Sequence, residues 1–342
     1  MKAKPNLFAY GTSELSQDAF ICWLFRWGDS KFNNSHKLLH DVSVNFIKYI
    51  FKKHNKKIPE AIESIDVKRQ VEGLDVLIIV NETIAILIED KTFTKNHSDQ
   101  LRRYLSKIEE KDLYEQLLPI YFKIGNQSDY SSVKEAGYEV VTRSEILSLL
   151  SEGINRGVES DIFRDYYDYL VEINENYKSY ESRLISKWTW LGWQGFYTEI
   201  QKYIDGNWGY VANANGGFLG CWWNFHDLED HKLHLQLEQK VKDGKSYGEL
   251  CFKIAVPEKE KRPCLRNNWY KRIVHNSVKY QLETVKPTSF GNGHTMTVAI
   301  LRDDYRRTDH EGIIDLDETV KLLRKVEKFV YELMENSENL QA

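Results

Sequence analysis

The sequence predicts an α/β chain: a mixed central sheet flanked by helices, then a second α+β lobe containing an antiparallel meander. Three observations predict it. Residues 74–80 and 83–88 are short, consecutive apolar runs rich in Val and Ile, as strands buried on both faces read. Helical patterns surround them in the order helix, helix, strands, helix, strand, strand. From residue 207 onward, strand-like runs alternate with turns rich in Gly, Asn and Asp. The division is a core over 1–155, a helical connector over 156–205 and a lobe over 206–342.

The elements follow in order. Ser13 or Ser16 can cap a first helix, in which Phe20, Trp23, Leu24 and Trp27 recur at i, i+3, i+4, i+7 and predict one buried stripe. Residues 36–54 predict a second helix whose end carries Lys52, Lys53, Lys56 and Lys57, a solvated basic cluster suited to a helix C-terminus. Residues 64–71 alternate as a half-exposed strand. Asn81-Glu82 turns the 74–80 run into the 83–88 run, a β-hairpin. Ser98 is a fitting N-cap for a helix over 98–110, and strands follow at 119–125 and 138–142, then a helix at 145–151. Long helices are expected over 159–184 and 192–204. The lobe reads as strands at 208–211, 218–225, 232–238 and 249–256, a helix at 265–283, a strand at 294–302 and a helix at 317–335.

The hairpin carries the chemistry. Side chains alternate across a strand, so Glu89 and Lys91 share one face and Asp90 points to the other. Asp75 shares its face with Leu77 and Ile79, so the hairpin can gather Asp75, Glu89 and Lys91 at one apolar spot. Two carboxylates that close repel, and burying them is costly. A divalent cation removes both problems, and hard oxygen ligands suit Mg²⁺ or Mn²⁺. Gln100 and Tyr104, four apart, lie on one face of the helix that follows.

Asp75, Glu89-Asp90-Lys91 and Gln100-Leu-Arg-Arg-Tyr104, in this order, resemble the PD-(D/E)XK nuclease superfamily. The Gln-x-x-x-Tyr element looks like its RecB-like branch, and Thr12–Phe20, with Glu14, looks like that branch's first motif. The resemblance covers roughly residues 8–145; Leu74 stands where the name has proline. It implies a restriction-endonuclease-like core and a Mg²⁺- or Mn²⁺-dependent nuclease, an enzyme acting on nucleic acid, with DNA the expected substrate. It also implies the roles. Asp75, Glu89, the carbonyl of Asp90 and Glu14 would ligate metal, though Glu14 is read equally as an acid complementing the helix dipole. Lys91 would position or help deprotonate the attacking water and stabilise the transition state, and Gln100 and Tyr104 would support the site and hold the substrate strand. The rival reading is a catalytically silent nucleic-acid-binding or scaffold protein on the same fold. Use of the superfamily in defence against foreign DNA adds a homo-oligomer or a defence-system partner protein to the expectations.

Composition bounds the rest. No apolar run nears the length of about 20 residues that spans a bilayer, so no membrane partner is expected. The start, Met-Lys-Ala-Lys-Pro, lacks a signal peptide's apolar core, and Cys22, Cys221, Cys251 and Cys264 are scattered; both predict a cytoplasmic chain with reduced thiols. A net charge of −4 makes nucleic-acid binding depend on local clusters. The densest basic stretch, 259–272, holds Arg262, Arg266, Lys271 and Arg272 around Trp269 and reads either as a nucleic-acid-binding surface or as a solvated helix start. His226, His231 and His234 read as a surface hairpin rather than a zinc site. No Walker or G-x-S-x-G sequence occurs, so no ATPase motor is expected.

Overall fold

A computed structural model describes residues 4–94, 99–213 and 216–338. The chain divides into two units, Met1–Glu175 and Asn176–Ala342. The boundary falls inside one helix, Asp161–Lys178, so the expected connector over 156–205 is shared between the units.

In the first unit, β1 (Ile65–Val71), β2 (Leu74–Val80), β3 (Ile84–Lys91), β4 (Gln116–Lys123) and β5 (Glu139–Thr142) form one sheet in that order. The first three strands run antiparallel and β3, β4 and β5 run parallel, so the sheet is mixed. Every residue of β3 is buried, as its unbroken apolar run predicts. At the β1–β2 turn Glu72 and Gly73 both take positive φ, the geometry of a tight primed hairpin turn. Pro119 sits in β4 opposite Leu87, and β5 pairs with β4 only from Ile120 onward, so the proline lies where β4 is still an edge.

The helices of this unit are α1 (Leu7–Tyr10), α2 (Glu14–Arg26), α3 (Lys37–Lys53), α4 (Gln100–Glu109), α5 (Ser131–Glu135), α6 (Arg143–Asn155) and α7 (Asp161–Lys178). Ser13 is the N-cap of α2 but makes no capping hydrogen bond; its hydroxyl lies 3.3 Å from that of Ser16. Ser98 lies outside the described residues, and Asp99 precedes α4. A capping box between Thr142 and Glu145 starts α6 two residues earlier than expected. The predicted stripe of α2 splits: Phe20 and Leu24 are buried, while Trp23 and Trp27 are only half-buried.

The second unit holds α8 (Trp190–Ile200), β6 (Gly206–Val211), β7 (Phe218–Asp227), β8 (Lys232–Lys242), β9 (Lys245–Ala255), α9 (Arg262–Ser277), β10 (Thr284–Val285), β11 (Thr295–Leu301) and α10 (Leu316–Glu338). Its six strands form an antiparallel sheet in the order β10-β11-β9-β8-β7-β6, and β6 to β9 are the expected meander. Asp243 and Gly244, both at positive φ, close β8 onto β9. One face, with Leu233, Leu235, Leu237, Leu250, Phe252 and Ile254, packs with the helices in one core. Arg306 is fully buried there: its guanidinium lies 4.7 Å and 4.3 Å from the ring centres of Trp188 and Trp193 and pairs with Asp304 at 2.6 Å.

Candidate nuclease site

The site forms where the β2–β3 ladder ends. Val76 lies opposite Ile88, so the next residues along, Asp75 and Glu89, leave the ladder side by side. Lys91, two residues beyond Glu89, emerges on the same face. Its ammonium lies 2.8 Å from Glu89 Oε1, 3.7 Å from Asp75 Oδ2 and 3.8 Å from Glu14 Oε2, and it donates to the Asp90 carbonyl at 2.8 Å. The sequence-predicted acids, the carbonyl and the lysine are therefore one cluster.

Two strand-end backbone groups build it further. The Asp90 N–H donates to Asp75 Oδ2 at 2.8 Å, and the Thr92 N–H donates to Glu14 Oε1 at 3.3 Å. The Thr94 hydroxyl also donates to Glu14 Oε1, at 2.7 Å, tying the first residue of α2 to the end of β3. From α4, Gln100 Nε2 donates to Glu89 Oε1 at 2.9 Å and to the Tyr104 hydroxyl at 3.2 Å. The Tyr104 ring covers Gly73, where an added Cβ would stand 2.4 Å from Tyr104 Cε1. Gly73 thus meets two demands at once, a φ of +96° and the approach of a ring.

Burial sets the electrostatics. Glu89 is 0% exposed, and its Oε2 has no hydrogen-bond partner among the described residues. Burial first, then the charge of Asp75, push its carboxyl up to about 7 against the pull of Lys91. Asp75 is also raised, by burial above all. Burial pulls Lys91 down, but the hydrogen bond and charge of Glu89, with Asp75 and Glu14, outweigh it and hold the ammonium above its usual value.

The side chain of Asp90 lies on the opposite face, as the alternation predicts, and meets residues that sequence reasoning did not single out. Gln17 Nε2 donates to Asp90 Oδ1, and the Tyr166 hydroxyl donates to Gln17 Oε1 at 3.1 Å. Asp18 is buried beside it; Asp18 Oδ1 and Asp90 Oδ2 have no donor. Burial and the neighbouring acids raise Asp18 to about 6 and Asp90 well above the usual range. Glu14, Gln17 and Asp18 stand at i, i+3, i+4, a spacing that signals one shared helix face.

A family model of the PD-(D/E)XK nuclease superfamily matches residues 5–205. The chain belongs to that superfamily. Comparison with curated proteins and with solved structures gives no match. Membership brings phosphodiester hydrolysis, a nucleic-acid substrate and general use of divalent metal ions. The mixed sheet with flanking helices is the fold that a PD-(D/E)XK core requires.

The second basic cluster is placed differently from its expected role. Trp269 is 5% exposed and donates through Nε1 to His231 at 2.7 Å, so its ring is packed in the core rather than offered to a base. Arg262 donates to the carbonyls of Val256 and Pro257 at 3.0 Å and 2.9 Å. Arg266 donates to those of Phe290 and Gly291 at 2.8 Å and 3.0 Å, and Arg272 to that of Leu333. These three arginines fasten loops and helix ends; Lys271 is exposed. The histidines do not converge. His231 pairs with Asp230 at 2.6 Å, His226 meets Asn224 at 2.9 Å, and buried His234 stacks on Phe225. Glu238, Glu249 and Cys251 come within 4.8 Å of one another, but Lys240 and Lys253 already compensate Glu238 at 2.5 Å and 2.7 Å. Among the described residues, no helix is long and apolar enough to cross a membrane.

Proposed function

We propose that this PD-(D/E)XK protein is a divalent-metal-dependent nuclease acting on DNA. One observation carries the reading: Glu14, Asp75, Glu89 and the Asp90 carbonyl converge on a single ammonium, that of Lys91. Carboxylates packed this closely in a buried spot are stable only beside compensating positive charge. The donor set fits a hard divalent ion: it is all oxygen, and the buried Glu89 Oε2 has no partner among the described residues. Asp75, Glu89, Glu14 and the Asp90 carbonyl would hold Mg²⁺ or Mn²⁺. Such an ion, when bound, lowers the pKa of a coordinated water and neutralises charge developing on the phosphate.

The chain's own groups divide the remaining work. Lys91, held in its charged form by its neighbours, stabilises negative charge in the transition state and keeps its proton at Nζ. Gln100 orients Glu89, and Tyr104 fixes Gln100, the roles that the RecB-like Gln-x-x-x-Tyr resemblance implies. Asp90 fixes Asp75 through its N–H. A role in defence against foreign DNA, with a partner protein or second copy as trigger, rests on the superfamily's use alone.

The test incubates purified protein with closed circular DNA, linear DNA and RNA in Mg²⁺, Mn²⁺ or EDTA. The expected result is cutting of DNA in either metal and none in EDTA; cut circles establish endonuclease action. Folded protein that binds nucleic acid and cuts no substrate supports the silent binding protein instead.

A further inference from the structure

We propose that the cavity lined by Trp23, Trp27 and Phe32 is a subsite for an unpaired nucleobase of the substrate strand, with Arg69 taking an adjoining phosphate. The inference rests on the nuclease reading and extends it to the form of the substrate. The helix that begins at Glu14 carries Trp23, and Trp27, four residues on, is its C-cap. Their periodicity with Phe20 and Leu24 predicts burial, yet both indoles stay half-buried around a cavity of about 370 Å³. That volume lies within the range of about 300–1,000 Å³ typical of small-molecule sites.

The lining fits a nucleotide. Trp23 meets Trp27 at 6.0 Å and 81°, and Trp27 meets Phe32 at 5.0 Å and 63°, so the three rings brace one another edge to face and none is stacked flat on another. Stacking on such rings is open to any base, because every base has a π-face. Trp27 Nε1 is shielded from solvent and has no acceptor among the described residues. Among the described residues, two cations, Arg26 and Arg69, line the cavity, and no acid does. Arg26 is paired with Asp29, whereas Arg69 is exposed and makes no hydrogen bond or ion pair among the described residues. Arg69 lies opposite Val76, so it shares the sheet face of Val76 and Asp90, the face opposite to that of Asp75 and Glu89. Arg69, whose charge also acts on the buried Asp18 carboxyl, presents an exposed guanidinium beside aromatic rings, the local positive feature that a nucleic-acid strand requires in a chain of net charge −4.

The test uses the full chain in EDTA, so that binding is read without cleavage. The probes are a fluorescein-labelled oligothymidylate, the same strand with its bases replaced by abasic sites, and a duplex. Intact single strand is expected to bind more tightly than duplex or abasic strand. Trp23→Ala weakens it by about 5- to 150-fold, the span measured for losing one stacked base, while Trp23→Phe retains most of the affinity. Arg69→Ala, at an exposed position, flattens the slope of log affinity against log salt by about 0.7. Wild-type affinity in both Trp23→Ala and Arg69→Ala overturns the proposal, as does equal binding of abasic and intact strands. Loss of self-association in these variants with DNA affinity unchanged assigns the cavity to a second copy and also overturns it. Cleavage in Mg²⁺ is read in parallel. A chain that binds through the cavity but cuts nothing retires the nuclease reading and leaves the subsite; one that cuts, with variants binding like wild type, retires the subsite alone.

Discussion

Glu89→Gln should make the metal-free protein more stable while destroying its activity. Glu89 titrates at about 7 in the folded chain against a usual 4.5. At 1.36 kcal/mol per unit, ionising it in the folded state costs about 3 kcal/mol. The sign follows from proton linkage. A carboxyl whose folded pKa is raised contributes stability that is fully present below 4.5 and is lost as pH rises through about 7. Gln removes the charge and still accepts from Gln100, but Lys91 loses its nearest carboxylate, which offsets part of the gain. In EDTA at pH 8 the variant should gain about 1–3 kcal/mol, or roughly 2–4 °C in Tm per kcal/mol for a unit of this size. At pH 5, where wild-type Glu89 is itself protonated, the difference should shrink. Mn²⁺ should raise the Tm of wild type and have much less effect on the variant. Differential scanning fluorimetry at both pH values, with and without Mn²⁺, reads all of this. A variant less stable than wild type at pH 8, or a difference that does not change with pH, would refute the reasoning.

Gln100→Ala and Tyr104→Phe should slow cleavage while Mn²⁺ binding by calorimetry persists, because both groups act through Glu89 and neither is a strong ligand. Gly73→Ala should cost about 1–2 kcal/mol for its positive φ and more for the collision with Tyr104, and should lower the cleavage rate alongside the Tm. Arg306→Ala should destabilise the second unit by about 3 kcal/mol or more, since it strips the cation from between Trp188 and Trp193 and leaves Asp304 unpaired; chemical denaturation checks this.

What was legible in the sequence was whatever short-range order specifies. The Val/Ile runs and the Asn81-Glu82 turn between them determine a hairpin, and period-2 alternation then places Asp75, Glu89 and Lys91 on one face and Asp90 on the other. The antiparallel meander was equally open, because Asp243-Gly244 closes its longest hairpin. Periodicity misled at Trp23 and Trp27: it identifies which face a residue takes, not how far neighbouring elements cover that face. The Gln17–Asp90 and Tyr166–Gln17 contacts join residues 73 and 149 positions apart, and no local pattern encodes such pairs. The 259–272 arginines were ambiguous for a related reason. Their carbonyl partners at Phe290 and Leu333 belong to distant segments, so charge density alone could not distinguish a binding surface from a set of structural clamps.

The most direct test of the central claim is cleavage of DNA by wild type and by Lys91→Ala in Mn²⁺, with folding of each confirmed by its thermal transition. Among the described residues, Lys91 is the cation on which the three carboxylates and the Asp90 carbonyl converge. The account expects wild type to cut in Mn²⁺ and not in EDTA, and folded Lys91→Ala to bind Mn²⁺ yet cut nothing. Cutting by Lys91→Ala at the wild-type rate, or cutting by wild type in EDTA, would contradict it.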